Sequence, residues 1–139
     1  MQQHPILYPL FAQVTLTLLV WLWMYATRIY TLQKNHIDAN ELRTVEDEHR
    51  LLKSVRGPSE NLVNLFEMPV LFYVACLLAY LAHTASPALL TLAWLFVAFR
   101  ALHSMIHCSY NRVMHRFTAY LISSLCLWGM WFELVRALA

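Results

Sequence analysis

Four apolar runs, each long enough to cross a bilayer, constrain this chain more than any other feature. They lie at residues 6–26, 62–82, 87–107 and 117–135. A membrane-spanning helix needs about 20 mostly apolar residues, because every backbone N–H and C=O must find its partner inside the segment once water is gone. Composition agrees, since 60% of the 139 residues are hydrophobic and 13% are charged. Lipid is the expected solvent. The expected fold class is all-α, an integral membrane four-helix bundle forming a single domain over residues 1–139.

No Lys or Arg precedes the first run, and it is longer than a secretory apolar core, so it is expected to remain as a helix. Trp21, Trp23, Tyr25 and Tyr30 are placed as interfacial anchors at one end, and Tyr8 at the other. Most of the charge falls in the connector, residues 28–60, with Arg28, Lys34, Arg43, Arg50, Lys53 and Arg56. The link between the second and third runs has no Lys or Arg, whereas Arg100, Arg112 and Arg116 surround the link between the third and fourth. The positive-inside rule then puts both basic connectors in the cytoplasm and both termini on the non-cytoplasmic side. The expected location is a multi-pass position in a membrane, the inner or cell membrane if the source is bacterial.

Within the connector, Leu42, Val45, His49 and Leu52 share a stripe opposite Glu46, Asp47 and Glu48, which predicts a short amphipathic helix over Glu41–Leu52. Gly57-Pro58 is expected to break the chain, with Ser59 capping the second spanning helix. Cys76, Cys108 and Cys126 match no zinc or redox spacing and read as packing residues. The net charge of +2 comes from the residues that orient the chain and points to no nucleic acid.

A charged side chain at mid-membrane costs roughly 3 kcal/mol on insertion scales, so each one calls for a partner, water or a function. Asn61, Asn64 and Glu67 follow at three-residue steps, which predicts one shared face on the second spanning helix. Arg100, His103 and His107 form a second such face on the third, and His115, Arg116 and Tyr120 open the fourth. All three groups fall at the same end of the bundle, and together they predict a polar, anion-binding pocket. The bland alternative is a buried pair between Glu67 and Arg100 or Arg116 that fixes helix register. Glu133 and Arg136 read as an interfacial pair, and His83 as a solvated turn residue. A metal at His103 and His107 is disfavoured, because His103-Ser-Met-Ile-His107 lacks the glutamate of zinc proteases. No metal is expected.

These residues resemble the membrane-associated proteins in eicosanoid and glutathione metabolism, the MAPEG family, in a bacterial-type form. Two motifs carry the resemblance: the Asn64-x-x-Glu67 pair, and the series Arg100, His103, Arg116, Tyr120. The resemblance implies a homotrimer that holds glutathione, as cosubstrate, between subunits near the cytoplasmic face. It further implies that Asn64 and Glu67 hold polar groups of the tripeptide, that His103 lines the site, that Arg116 steadies the thiolate as the catalytic residue, and that Tyr120 bonds nearby. Arg100 and His107 share the face of His103. Four positions depart from the pattern: His107 where eukaryotic members have tyrosine, Phe117 where some have serine, Val63 in place of an arginine, and Pro69, two residues after the glutamate instead of further along. The expected activity is that of a thiol-dependent transferase or peroxidase acting on a lipophilic small molecule. The alternative is a non-catalytic member that binds a small anionic or lipid ligand or a protein partner.

Overall fold

A computed structural model describes residues 4–139, and among these every regular element is helical. Helix α1 (Leu7–Lys34) leads through a 3₁₀ turn at Ala39–Glu41 to α2 (Val45–Leu51). A second 3₁₀ turn at Lys53–Val55 runs into α3 (Arg56–Leu65), followed by α4 (Met68–Leu81), α5 (Pro87–Cys108) and α6 (Val113–Leu138). Four stretches are long and apolar enough to cross a membrane: α1, Lys53–Leu81, α5 and α6. Each contains one of the runs seen in the sequence. Trp21, Trp23, Tyr25, Tyr30 and Tyr8 all point outward from the bundle, as interfacial anchors must.

Helices in lipid associate by close packing, which small residues permit. Ala75 and Ala79 on α4, Ala93 on α5, and Ala119 and Ser123 on α6 are all buried where helices meet. Phe72 of α4 stacks on Phe96 of α5 with ring centroids 4.4 Å apart. Cys76 and Cys126 are buried in the same apolar core. Helices α5 and α6 form the most extensive pair, joined by a tight link in which Asn111 takes a left-handed conformation with φ 49°. Asparagine tolerates that region better than most residues, and its N–H donates to the Ile106 carbonyl at 2.9 Å, closing the end of α5.

The second spanning segment departs from the expected pattern. Gly57-Pro58 does not break the chain: helix α3 begins at Arg56, and Pro58 occupies its first turn, where a missing N–H costs nothing. Ser59 is not the cap, because the preceding residue is Val55, without a side-chain cap. The break comes later, at Phe66 and Glu67, two residues before Pro69. Proline's ring clashes with the carbonyl four residues back, here Leu65, and Glu67 leaves the helical region with φ −96° and ψ −101°.

The connector helix is shorter than expected, Val45–Leu51, and Thr44 caps it by accepting from the Asp47 N–H at 3.1 Å. Of its apolar stripe Leu52 is buried, but Val45 is 64% exposed. An ion pair between Arg28 and Glu48 at 2.8 Å ties the connector back to α1. The pair Glu133–Arg136 forms at 3.3 Å, and His83 is exposed in a turn.

Gly57 is where α3 crosses the end of α5. A Cβ there would sit 2.7 Å from the His107 carbonyl oxygen, inside any tolerable contact. Gly57→Ala gains up to about 1 kcal/mol of helix propensity but incurs roughly 1–3 kcal/mol of overpacking. The expected outcome is a lower thermal midpoint in detergent, measured by circular dichroism. A raised midpoint would mean that α3 can retreat from α5 freely.

Candidate functional site

The residues Arg100, His103 and His107 are spaced three and four apart on an unbroken helix, so α5 presents all three on one face. That face is turned inward: Arg100 is 0% exposed, and both histidines are 2% exposed. Helix α6 supplies the opposite wall with Arg116 and Tyr120. The Tyr120 ring lies 4.7 Å from the Arg100 guanidinium carbon, and Phe96 flanks it at 5.6 Å. The two imidazoles are 5.5 Å apart, and His103 lies 5.8 Å from the Tyr120 ring.

Arg116 is gripped from three directions. Its Nη1 donates to His107 Nε2 at 3.0 Å and to Asn111 Oδ1 at 2.9 Å, and its backbone carbonyl lies 3.0 Å from His103 Nδ1. These contacts assign the proton positions on both rings. A guanidinium only donates, so His107 Nε2 accepts and Nδ1 carries the hydrogen. A carbonyl only accepts, so His103 Nδ1 carries the hydrogen and Nε2 is bare.

What remains is a set of buried polar atoms without hydrogen-bond partners among the described residues: Nε, Nη1 and Nη2 of Arg100, Nδ1 of His107 and Nε2 of His103. Four of the five are donors. A guanidinium shut away from water with none of its nitrogens bonded is costly, and two aromatic rings offset only part of that cost. The chemistry of the vacant positions is that of a receptor for an anion that also carries one hydrogen-bond donor.

Of the remaining expected residues, Asn64 and His115 make no contact with this cluster among the described residues, and Glu67 reaches it only through its charge on Arg100. Asn64 is half-buried and makes no side-chain hydrogen bond among the described residues, and Glu67 is exposed. The predicted register pair is not a contact ion pair among the described residues, although Glu67 lies near enough to Arg100 for its charge to act on the guanidinium. His115 turns outward, where its Nδ1 meets the Tyr110 hydroxyl at 3.1 Å.

Asn61 of the expected face and two residues beyond the expected set, Asn111 and Gly57, shape the site. Asn111 both ends α5 and holds Arg116, a role signalled only by an asparagine in a short interhelical link. Asn61, completely buried, accepts from the Ser104 hydroxyl at 3.3 Å and donates to the Cys108 sulfur at 3.5 Å, fastening α3 to α5. Gly57 allows α3 to approach His107. On the outer side, a groove of about 630 Å³ runs between α1 and α5, lined by Leu16, Trp23, Leu102, Met105 and Cys108. It reaches the residue after His107.

This layout of a buried arginine and two buried histidines facing a half-buried tyrosine on the next spanning helix coincides with a sequence match to the MAPEG family over residues 6–136. The chain belongs to the MAPEG family. It is thus a multi-pass membrane protein of a family associated with glutathione and eicosanoid metabolism. No curated protein and no solved structure matches the chain. In this MAPEG member, Arg100 is the residue whose environment is least complete.

Replacing Arg100 with methionine tests that incompleteness. Removing an unpaired buried charge in favour of an apolar side chain of similar volume leaves the ligand-free protein as stable as before or up to about 4 kcal/mol more stable. Thermal denaturation in detergent reads the change. A loss of about 3 kcal/mol or more would show that the guanidinium already has a partner in the ligand-free protein.

Proposed function

We propose that this MAPEG protein is a membrane enzyme that activates a thiol cosubstrate, glutathione or a related anionic thiol, for attack on a lipophilic electrophile. The observation that carries the reading is the fully buried Arg100 guanidinium with no bonded nitrogen, beside a second arginine held ready by two histidines. Arg100 and the His107 Nδ1–H receive a carboxylate or other anionic group, and the bare His103 Nε2 accepts from an ammonium or amide of the same ligand. Tyr120 closes the site with its ring over Arg100.

Arg116 is the catalytic residue in this reading. A free thiol has a pKa near 8.5, and a guanidinium beside the sulfur lowers it, which raises the nucleophilic fraction at neutral pH. The thiol proton leaves to solvent, the sulfur lone pair forms a bond to the electrophilic carbon, and the displaced electron pair goes to the leaving group or the adjacent oxygen. With a hydroperoxide instead, two thiols become a disulfide while the peroxide is reduced to an alcohol and water. The electrophile enters sideways from the bilayer, and the apolar groove between α1 and α5 suits such a molecule.

Asn64 and Glu67 enter this reading through assembly. An exposed carboxylate on the outside of an apolar bundle is expensive in lipid. A homotrimer with sites between neighbouring subunits covers Glu67 and Asn64 and brings them to the bound thiol. The site faces the cytoplasm, and both termini lie on the opposite side, in accord with the Lys and Arg of the connector.

One observation favours a second reading. Val63 and Phe117 place exposed apolar side chains at two positions where relatives carry polar ones, which leaves one cation fewer for an anionic peptide. A non-catalytic binder of a small anion or lipid fits that deficit.

Calorimetric titration of glutathione into detergent-purified protein, with Arg116→Ala as control, separates the two. Saturable binding is expected, with stabilisation of about 2.7 kcal/mol at a hundredfold excess over Kd. Turnover of a model electrophile should fall about 100-fold or more in Arg116→Ala. Binding without turnover supports the second reading, and no binding to a folded protein ends the thiol reading.

A further inference from the structure

The geometry of His107 gives it a task of its own. Its Nε2 accepts one hydrogen of Arg116 Nη1 at 3.0 Å, and Asn111 Oδ1 accepts from the same nitrogen at 2.9 Å. Nη1 has two hydrogens, and the protein uses both. The Nε and Nη2 hydrogens of Arg116 stay available for a ligand, so the pair of acceptors sets which edge of the guanidinium a ligand meets. His103 fixes the other end of the residue by donating from Nδ1 to the Arg116 carbonyl. An arginine side chain otherwise carries about 2 kcal/mol of rotamer entropy, which a loose guanidinium would lose only on binding.

We propose that His107 is a positioning residue for Arg116, acting as a neutral acceptor that aims the guanidinium at the sulfur of the bound thiol. The inference rests on the thiol reading above and deepens it. A clamp of this kind needs the imidazole uncharged. A protonated ring has no lone pair at Nε2 and would set two positive charges 3.0 Å apart. The groups around His107 are Arg116 from α6, Asn111 from the link, Arg100 and His103 from its own helix, and Glu60 from α3. Gly57 of α3 lies against its carbonyl and fixes the backbone that carries the ring. Proton uptake by His107 therefore releases Arg116 and withdraws support from the thiolate.

The test follows thiolate absorbance of glutathione bound to the detergent-purified protein as a function of pH, in the native sequence and in His107→Leu, His107→Gln and Arg116→Ala. Glutamine keeps a neutral acceptor near the Nε2 position and cannot take up a proton. His107→Leu is expected to lose about tenfold of the thiolate at neutral pH, equivalent to a rise of about one unit in the apparent thiol pKa. His107→Gln is expected to restore most of it and to abolish the additional acid-side fall that imidazole protonation causes. If His107→Leu keeps the native thiolate while Arg116→Ala loses it, the clamp is wrong and the thiol reading stands.

A second readout needs no ligand and covers the case in which no thiolate forms at all. Nitrogen resonances of isotope-labelled histidine should show His107 as the Nδ1–H tautomer, with an Nε2 signal that moves in Arg116→Ala. An Nε2–H tautomer, or a signal indifferent to Arg116→Ala, overturns the clamp whatever the protein binds. The same spectra on His107→Gln assign the resonance and establish that this variant is folded.

Discussion

A guanidinium buried inside a membrane bundle without a bonded partner is the constraint around which the rest of this structure is arranged. Arg100 is fully shut in, and among the described residues none of its nitrogens makes a hydrogen bond of good geometry. Tyr120 and Phe96 lie against it, and a desolvated cation–π contact contributes about 2 kcal/mol, less than the several kcal/mol that burying the ion costs. The deficit is a property of the ligand-free chain. An anion entering the site would remove it, so the stabilisation lost in the empty protein becomes affinity for the ligand. In the proposed reading α5 would be a binding element at its C-terminal end, while it packs elsewhere, where Ala93 and Phe96 meet α4.

The parts of this arrangement that could be read from sequence are those governed by one uninterrupted helix. Arg100, His103 and His107 sit on α5, whose 22 residues keep a constant pitch, so spacings of three and four translate directly into a shared face. The four spans were legible for the same reason, since apolar length is a local property. Asn61, Asn64 and Glu67 have equally regular spacing, yet it did not carry through, because Pro69 ends the regular hydrogen bonding near Leu65 and turns Glu67 outward. Periodicity predicts a face only while the helix lasts.

Other features were hidden because their cause lies in a tertiary neighbour. Gly57-Pro58 carries the composition of a break, but proline in a first turn is compatible with a helix, and the glycine is needed where α3 crosses the His107 carbonyl. Asn111 gives no signal beyond a polar residue in a link, although it holds both the end of α5 and Arg116. Gln13 is the extreme case. It lies in the middle of an apolar run, is fully buried, and has neither amide atom bonded. Nothing in its local sequence distinguishes it from a residue facing headgroups.

In the proposed reaction the two arginines of the site would divide the work. Arg100 is completely enclosed and free of hydrogen bonds, which suits a fixed anchor for a charge that stays in place throughout a reaction. Arg116 is partly open, and one of its nitrogens is saturated by protein acceptors, which suits a group that must face an atom whose charge changes. Preorganised donors stabilise developing charge best when they need not reorient as it appears. The chain of contacts from Gly57 through the His107 backbone and ring to Arg116 supplies that rigidity from a helix crossing several residues away. Under the proposed function, a mutation at the crossing would change the chemistry without touching a ligand, by loosening the helix end that carries the acceptor.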